Sequence, residues 1–330
     1  MRTTRSLYAI RICGDHAIAM SQRILEPGQI ETLASRSIPR VRLPDPTRVF
    51  SDRAARLRTL ADGNAIGGYL ELVAHVCDAQ HAALAKYSPA PPAAETIERA
   101  AAHGMPPLPA SGPRDAAWRS LLTELLDAVA PHSAPVRELA QRLHDATPEW
   151  LDAQADAVLA ERADLVDLAA APFVMAALEV HWVAMTGFFD ADRFLAIDAP
   201  GVCPLCGSLP VASIVHAQAP YQGYRYLHCS LCASEWHLVR IHCTGCGAAG
   251  KDIGYHTPTR EGASDDGNAA VRAESCEHCH GYRKIVYREK DTRVDPVADD
   301  LASLALDVLM AEHGYHRLST NPLLWQRSED

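Results

Sequence analysis

Four Cys-x-x-Cys pairs between residues 203 and 279 constrain the fold of this chain more than any other sequence feature. They account for eight of its ten cysteines. The pairs are Cys203 with Cys206, Cys229 with Cys232, Cys243 with Cys246, and Cys276 with Cys279. Such a pair presents two thiolates on one side of a tight turn, and two turns together place four sulfurs around one ion. Four pairs therefore predict two four-cysteine metal sites.

The spacing of the pairs predicts how they combine. The second pair begins after 22 intervening residues and the fourth after 29, and each interval can hold a β-hairpin. Glycine follows the first pair of each interval, at Gly207 and Gly247, where the absence of a Cβ allows a tight turn. A site shared by the two middle pairs would leave only ten residues for the return of the chain and is less favoured. The expected ligand sets are Cys203, Cys206, Cys229 and Cys232 at one site, and Cys243, Cys246, Cys276 and Cys279 at the other.

The cysteine pattern leaves the identity of the metal open. Four thiolates suit zinc or a single iron ion, and iron–sulfur clusters also bind through four cysteines. The wide interval inside each site and the glycines favour one ion per site. A metal would supply folding energy that a small β unit lacks, and nothing in the spacing indicates an open coordination position for catalysis. The segment 276–280 matches a haem-attachment pattern, but both of its cysteines are needed for the second site.

The rest of the chain divides into helical and β-rich parts. Residues 1–50 contain several prolines and are predicted to form an extended arm, and residues 53–195 repeat apolar positions at helical spacing. The apolar positions in residues 53–195 predict a bundle of roughly five or six helices. Cys77 lies on one of the apolar faces and is predicted to be a buried, inert thiol. A last helix is predicted between Asp295 as N-cap and Gly314 as its end.

These patterns predict an α+β fold with three parts. An N-terminal α-helical bundle is followed by two small zinc-ribbon-like metal domains and a C-terminal helix. The expected boundaries are 1–198 for the helical domain with its arm, 199–240 for the first metal domain, and 241–330 for the second metal domain with the last helix. The helical part contains no catalytic constellation, so the sequence does not predict an enzyme.

Composition excludes some kinds of partner. The net charge is −10, whereas proteins that bind nucleic acids or anionic membranes are usually basic. Residues 196–295 have no basic surplus either, which disfavours a zinc-ribbon that binds nucleic acid. The N-terminus lacks the pattern of a signal peptide, and the most apolar segment, residues 168–185, is interrupted by Pro172, Glu179 and His181. We therefore expect a cytoplasmic protein with reduced thiols and no membrane insertion.

Residues 200–325 resemble a known family. The resemblance rests on "CPLCGSLPVASIV", "YRYLHCSLCASEWHLVRIHCTGCG", "CEHCHGYRKIVYREKD" and "DDLASLALDVLMAEHGY" followed by "NPLL". The order and spacing of these pieces are similar to those of the formate dehydrogenase accessory proteins of the FdhE family. All four Cys-x-x-Cys pairs of that family are present in this chain.

The resemblance implies a structure and a role. It implies a helical N-terminal part and two rubredoxin-like domains that bind iron through the two sets of four cysteines, with zinc as the other possible metal. It further implies a dimeric, non-enzymatic, cytoplasmic protein that is needed for active respiratory formate dehydrogenase and contacts the catalytic subunit before export. The alternative is a rubredoxin-like iron protein that passes electrons to formate dehydrogenase during maturation.

Overall fold

The computed structural model of the chain describes residues 38–112, 114–191, 201–257 and 269–326. Residues 1–37, which make up most of the predicted extended arm, lie outside this range. So does the predicted boundary between residues 198 and 199. The fold is mixed: one short strand and the helices of the first part precede residue 191, and the other strands of the sheet and two further helices follow residue 201. The predicted α+β class is confirmed.

The first described part of the chain is helical. Its helices are α1 (Val49–Ala61), α2 (Gly67–Leu84), α3 (Ala94–Ala102), α4 (Ala117–Val129), α5 (Ala134–His144), α6 (Pro148–Leu159) and α7 (Ala171–Thr186). This is more than the roughly five or six predicted over residues 53–195. The chain turns between α1 and α2 at Gly63, whose φ of +68° favours glycine.

Helix α7 lies at the centre of the helical part. Thirteen of its sixteen residues are buried, including Glu179 and Trp182. The polar groups are satisfied: Gln80 and Arg53 donate to Glu179 at 2.8 and 3.2 Å, and the Trp182 indole donates to the Leu108 carbonyl at 3.0 Å. No helix among the described residues has the length and apolar character needed to cross a membrane.

One eight-stranded sheet contains all of the described strands. They are β1 (Val41–Arg42), β2 (Pro210–Val215), β3 (Arg225–Cys229), β4 (Glu235–His237), β5 (Ile253–His256), β6 (Val271–Cys276), β7 (Gly281–Tyr287) and β8 (His316–Arg317). The order across the sheet is β1-β4-β3-β2-β7-β6-β5, with β8 pairing with β7. Strands β2 to β4 and β5 to β7 each form a three-stranded antiparallel unit.

A parallel pairing joins these two units. Ser213 and Val215 of β2 align with Ile285 and Tyr287 of β7. The two cysteine-bearing units thus share one continuous sheet. The sequence did not predict this pairing, because parallel strands far apart in the chain leave no local pattern.

The predicted C-terminal helix is present but broken. It consists of α8 (Pro296–Ala302) and α9 (Leu304–Glu312). Asp295 caps α8 by accepting the N–H groups of Val297 and Ala298 at 3.0 and 2.8 Å. At the break, the buried Lys284 ammonium donates to the carbonyls of Asp300 and Ser303 at 2.7 and 3.1 Å. A buried cation therefore takes the carbonyls that a continuous helix would use internally.

Candidate metal centres

The four Cys-x-x-Cys turns share one backbone design. In three of them the residue after the second cysteine donates its N–H to the carbonyl of the first: Gly207 to Cys203, Gly247 to Cys243 and His280 to Cys276, at 2.8 to 3.1 Å. In all four turns that residue has a left-handed backbone. The φ values are +80° for Gly207, +54° for Ala233, +76° for Gly247 and +55° for His280. The sequence identified the two glycines but not Ala233 and His280, which adopt the same conformation despite their Cβ atoms.

Backbone N–H groups also point at sulfur. Cys229 Sγ accepts from the N–H groups of Leu231 and Cys232, both at 3.4 Å. Cys243 Sγ accepts from those of Gly245 and Cys246, at 3.3 and 3.4 Å. Hydrogen bonds to the charged form of a group favour that form. The turns are therefore suited to hold thiolates.

The structure brings the eight predicted residues together in two groups of four. In the first group, Cys203, Cys206, Cys229 and Cys232, all Sγ atoms lie within 4.8 Å of one another. In the second group, Cys243, Cys246, Cys276 and Cys279, they do so as well. Each group combines two consecutive turns, as sequential pairing predicts. The two middle turns, which the less favoured alternative would combine, belong to different groups.

The sulfur positions fit a tetrahedral ion. A metal–sulfur bond of about 2.3 Å gives a tetrahedron with an edge of about 3.8 Å. In the first group, Sγ distances between the two turns are 3.6 Å (Cys203–Cys232) and 3.3 Å (Cys206–Cys229). In the second, Cys243–Cys279 and Cys246–Cys276 are both 3.7 Å apart. Each group could hold one metal ion, and four thiolates would complete its coordination shell.

The pKa values of the thiols show why such a cluster needs a cation. Burial raises the pKa of Cys203 and Cys229 well above the ordinary value. Burial also acts to raise that of Cys206, but hydrogen bonds from the neighbouring thiols outweigh it and the pKa of Cys206 lies well below its usual range. The ionised form is thus favoured at Cys206 and disfavoured at Cys203 and Cys229. Only a bound cation would allow all four to ionise together.

The second group shows the same division among its thiols. A hydrogen bond from the backbone of Ala248 lowers the pKa of Cys246 to about 6. Burial raises the pKa of Cys276, and it raises that of Cys279 to about 12.

The surroundings of the two groups differ. The sulfurs of the first group are buried in the main hydrophobic core, together with residues of the helical part. In the second group Cys246 is exposed and Cys279 is partly exposed. Cys77 lies in the helical core, outside both groups, and burial raises its pKa. Among the described residues, no further cluster of three or more His, Cys, Asp or Glu ligand atoms is as compact.

A buried polar network adjoins the first group. Glu235 accepts hydrogen bonds from His216 at 2.7 Å and from Arg42 at 3.1 Å, and its other oxygen lies 3.3 Å from His228 Nδ1. Burial acts to raise the pKa of Glu235, but these partners hold it well below its usual range. Because Arg42 belongs to β1, which precedes α1 in the chain, this network ties the start of the described chain to the first cysteine-bearing unit. Sequence reasoning missed it, since its members are far apart in the chain.

Family models match almost all of the described chain. The model described as FdhE, N-terminal, matches residues 38–196. The FdhE central domain matches residues 202–240, and the FdhE C-terminal domain matches residues 241–324.

Individual proteins give the same result. The protein FdhE homolog of Cronobacter sakazakii is 39% identical over 312 residues, which cover 93% of this chain and 98% of that protein. Protein FdhE of Escherichia coli K12 is 38% identical with the same coverage. The crystal structure of the FdhE protein from Pseudomonas aeruginosa superposes with a TM-score of 0.74 at 37% identity, covering 87% of this chain and 99% of that one.

Proposed function

This chain belongs to the FdhE family, and on that premise we propose that it is a non-enzymatic accessory protein for the maturation of respiratory formate dehydrogenase. In this role it binds the catalytic subunit in the cytoplasm before export. The two sets of four cysteines each hold one metal ion, preferably iron.

The closed geometry of both centres supports a binding role over catalysis. Each group offers four sulfurs to one tetrahedral ion, so no ligand position remains for a substrate or a water molecule. Catalytic metal sites keep such a position open. This observation carries the proposal that the ions stabilise and shape a surface for another protein.

A matched binding experiment tests the proposal. The tagged full-length chain would be co-expressed with the catalytic subunit of formate dehydrogenase from the same genome, and the complex measured by affinity purification and light scattering. We expect a complex with that subunit and none with an unrelated exported metalloenzyme. Failure of the chain to bind the subunit, while it retains two metal ions, would contradict the proposed role. Light scattering of the chain alone also tests the expected homodimer.

A redox role is the second candidate, and the exposed second centre favours it. Cys246 is exposed and Cys279 partly exposed, so electrons could reach an ion there without crossing the core. An iron ion held by four thiolates would supply one-electron chemistry. Close to two irons per chain, with a visible thiolate band that bleaches on reduction, would support this candidate. Two zinc ions in a colourless protein purified from iron-supplied cells would exclude it and leave the binding role.

A further inference from the structure

An apolar and basic surface lies beside the second centre. We define this docking surface as Val239, Arg240, Ile241, Lys251, Tyr255 and Arg272. Val239, Ile241 and Tyr255 are 57%, 48% and 38% exposed. The other exposed large hydrophobic residues of the described chain, Met105, Leu165, Phe188 and Val308, belong to other elements. A single exposed apolar residue is ordinary, whereas a cluster of them marks an interaction site. Here the Arg225–Glu274 pair links the segment of Val239 and Ile241 to Tyr255, since Arg225 donates to the His242 carbonyl and Tyr255 donates to Glu274.

The backbone holds Ile241 in this exposed position at a cost. Its φ is +62°, and a β-branched residue with a left-handed backbone is a conformational outlier. Such strain persists where the surrounding structure imposes it, often at functional sites. Here the Gly250 N–H donates to the Ile241 carbonyl at 3.1 Å. This bond closes the loop that carries Cys243 and Cys246, so the surface and the exposed centre are parts of one rigid unit.

A buried network of hydrogen bonds also fixes the loop that carries Cys243 and Cys246. Arg225 donates to the His242 carbonyl at 3.0 Å and to both carboxylate oxygens of Glu274 at 2.5 and 2.6 Å. The Tyr255 hydroxyl donates to Glu274 at 3.0 Å. The ring of Tyr255 is therefore held in place on β5, the last strand in the order of the described sheet. A partner would find this surface already organised, which lowers the entropic cost of binding.

The surface is basic although the chain is acidic. Arg240, Lys251 and Arg272 form no ion pair with the residues that the structure describes. Arg272 stacks over the ring of Tyr287 at 5.4 Å, and its buried Nε has no partner there either. Glu274 is already paired with Arg225. The segment 239–252 carries two cations, Arg240 and Lys251, and one anion, Asp252. Arg272 adds a third cation from β6, in a chain of net charge −10.

Charge and apolar exposure together specify the partner. We propose that this surface docks an acidic protein surface that carries exposed apolar residues, and that the proposed client, the formate dehydrogenase catalytic subunit, provides it. This inference rests on the proposed function. Opposite charges would steer the encounter, and the apolar residues would supply the buried contact. Docking would bring the client against the open side of the second centre.

Two double variants of the full-length protein test the surface. The first, Arg240→Glu with Lys251→Glu, reverses two charges of the docking surface. Its control, Arg99→Glu, reverses an exposed charge on α3, away from that surface. In the second, Val239→Ser with Ile241→Asn removes the apolar residues, and Val308→Ser is its control. Asparagine tolerates the left-handed backbone of residue 241, so the loop is retained. Metal content and the unfolding midpoint verify that each variant is folded.

The readout is the dissociation constant for the purified catalytic subunit. We expect each double variant to weaken binding about tenfold or more, equal to about 1.4 kcal/mol, and the controls to leave it unchanged. Rising salt should weaken the wild-type complex more than the charge-reversed one. Wild-type affinity in both double variants would overturn the docking surface and leave the proposed function standing. Loss of self-association alone would overturn it in favour of a contact between two copies. A wild-type chain that binds no subunit would refute the proposed function itself.

Discussion

The two candidate metal centres share a set of four cysteines and a turn design, but they differ in what surrounds them. In the first centre each of the four cysteines is at most 1% exposed. In the second, Cys246 is exposed and Cys279 partly exposed. Solvent access thus depends on the packing around a four-cysteine site and not on its ligands.

The packing partners explain the difference. The cysteines of the first centre share the main core with the helices α1, α2, α4 and α7, and the Leu108 and Ala110 N–H groups donate to the carbonyls of Leu205 and Cys206 at 2.9 and 2.8 Å. The second centre has Leu318 on one side, packed so closely on Gly245 and Gly281 that a Cβ on either glycine would displace the Leu318 side chain. Its other side faces solvent. We infer that the first centre stabilises the whole chain and the second is available to other molecules.

The largest expected effect concerns stability. Replacing Cys229 and Cys232 by serine should remove one metal ion and lower the free energy of unfolding by about 4 kcal/mol or more, because it leaves polar groups unpaired in the main core. Urea unfolding followed by tryptophan fluorescence measures it, since Trp118 and Trp182 are buried in the helical part. We also expect weaker binding of the catalytic subunit.

The second centre provides the matched control for this experiment. Replacing Cys276 and Cys279 by serine should also remove one metal ion, but should lower the free energy of unfolding by about half as much, since less of that site is buried. Equal losses in the two variants would contradict the division between a stabilising and an accessible centre. So would a normal metal content in either variant.

Metal removal should show a smaller, kinetic difference. A chelator reaches the exposed side of the second centre directly, whereas the first centre must open locally before its ion can leave. We expect release in two phases that differ in rate by about tenfold, with one ion in each phase. Stopped-flow absorbance with a coloured chelator measures the rates, and the two serine double variants assign the phases. A faster release from the first centre would reverse the comparison.

The sequence was most informative where chemistry is local. Cys-x-x-Cys spacing predicted both groups of four and their sequential pairing, because a metal tetrahedron requires two turns separated by a hairpin. Asp295 and Gly314 predicted the ends of the last helical segment for the same kind of reason, since caps are properties of neighbouring residues.

Features that depend on residues far apart in the chain could not be predicted from the sequence. The parallel pairing of β2 with β7 depends on strands about 70 residues apart. The break between α8 and α9 depends on Lys284, which reaches it from β7. The exposure of Cys246 depends on what packs against its turn, and Cys206 occupies the same position in a turn of similar sequence yet is buried. Tertiary packing decided each of these outcomes.

The smallest expected effect concerns the strained turns themselves. Ala233 and His280 hold left-handed backbones, at φ of +54° and +55°, where the first and third turns have glycine. A Cβ in this region costs about 1–2 kcal/mol. Replacing the residue by glycine removes that cost, but the larger conformational entropy of glycine in the unfolded chain offsets part of the stabilisation. Ala233→Gly should therefore raise the free energy of unfolding by about 0.5–1 kcal/mol, measured by urea unfolding. Ala249→Gly, at φ of −138°, is the control and should lower it.

His280→Gly sharpens the comparison between the centres, because its turn belongs to the accessible one. Relief of strain there should stabilise the closed form of the second centre and slow the fast phase of metal release severalfold, whereas Ala233→Gly should slow only the other phase. The His280 ring lies 6.0 Å from that of Tyr315, so its removal costs some contact and the gain in global stability should be smaller than for Ala233→Gly. If each variant slowed both phases alike, the two centres would open as one unit and their separation into stabilising and accessible sites would be wrong.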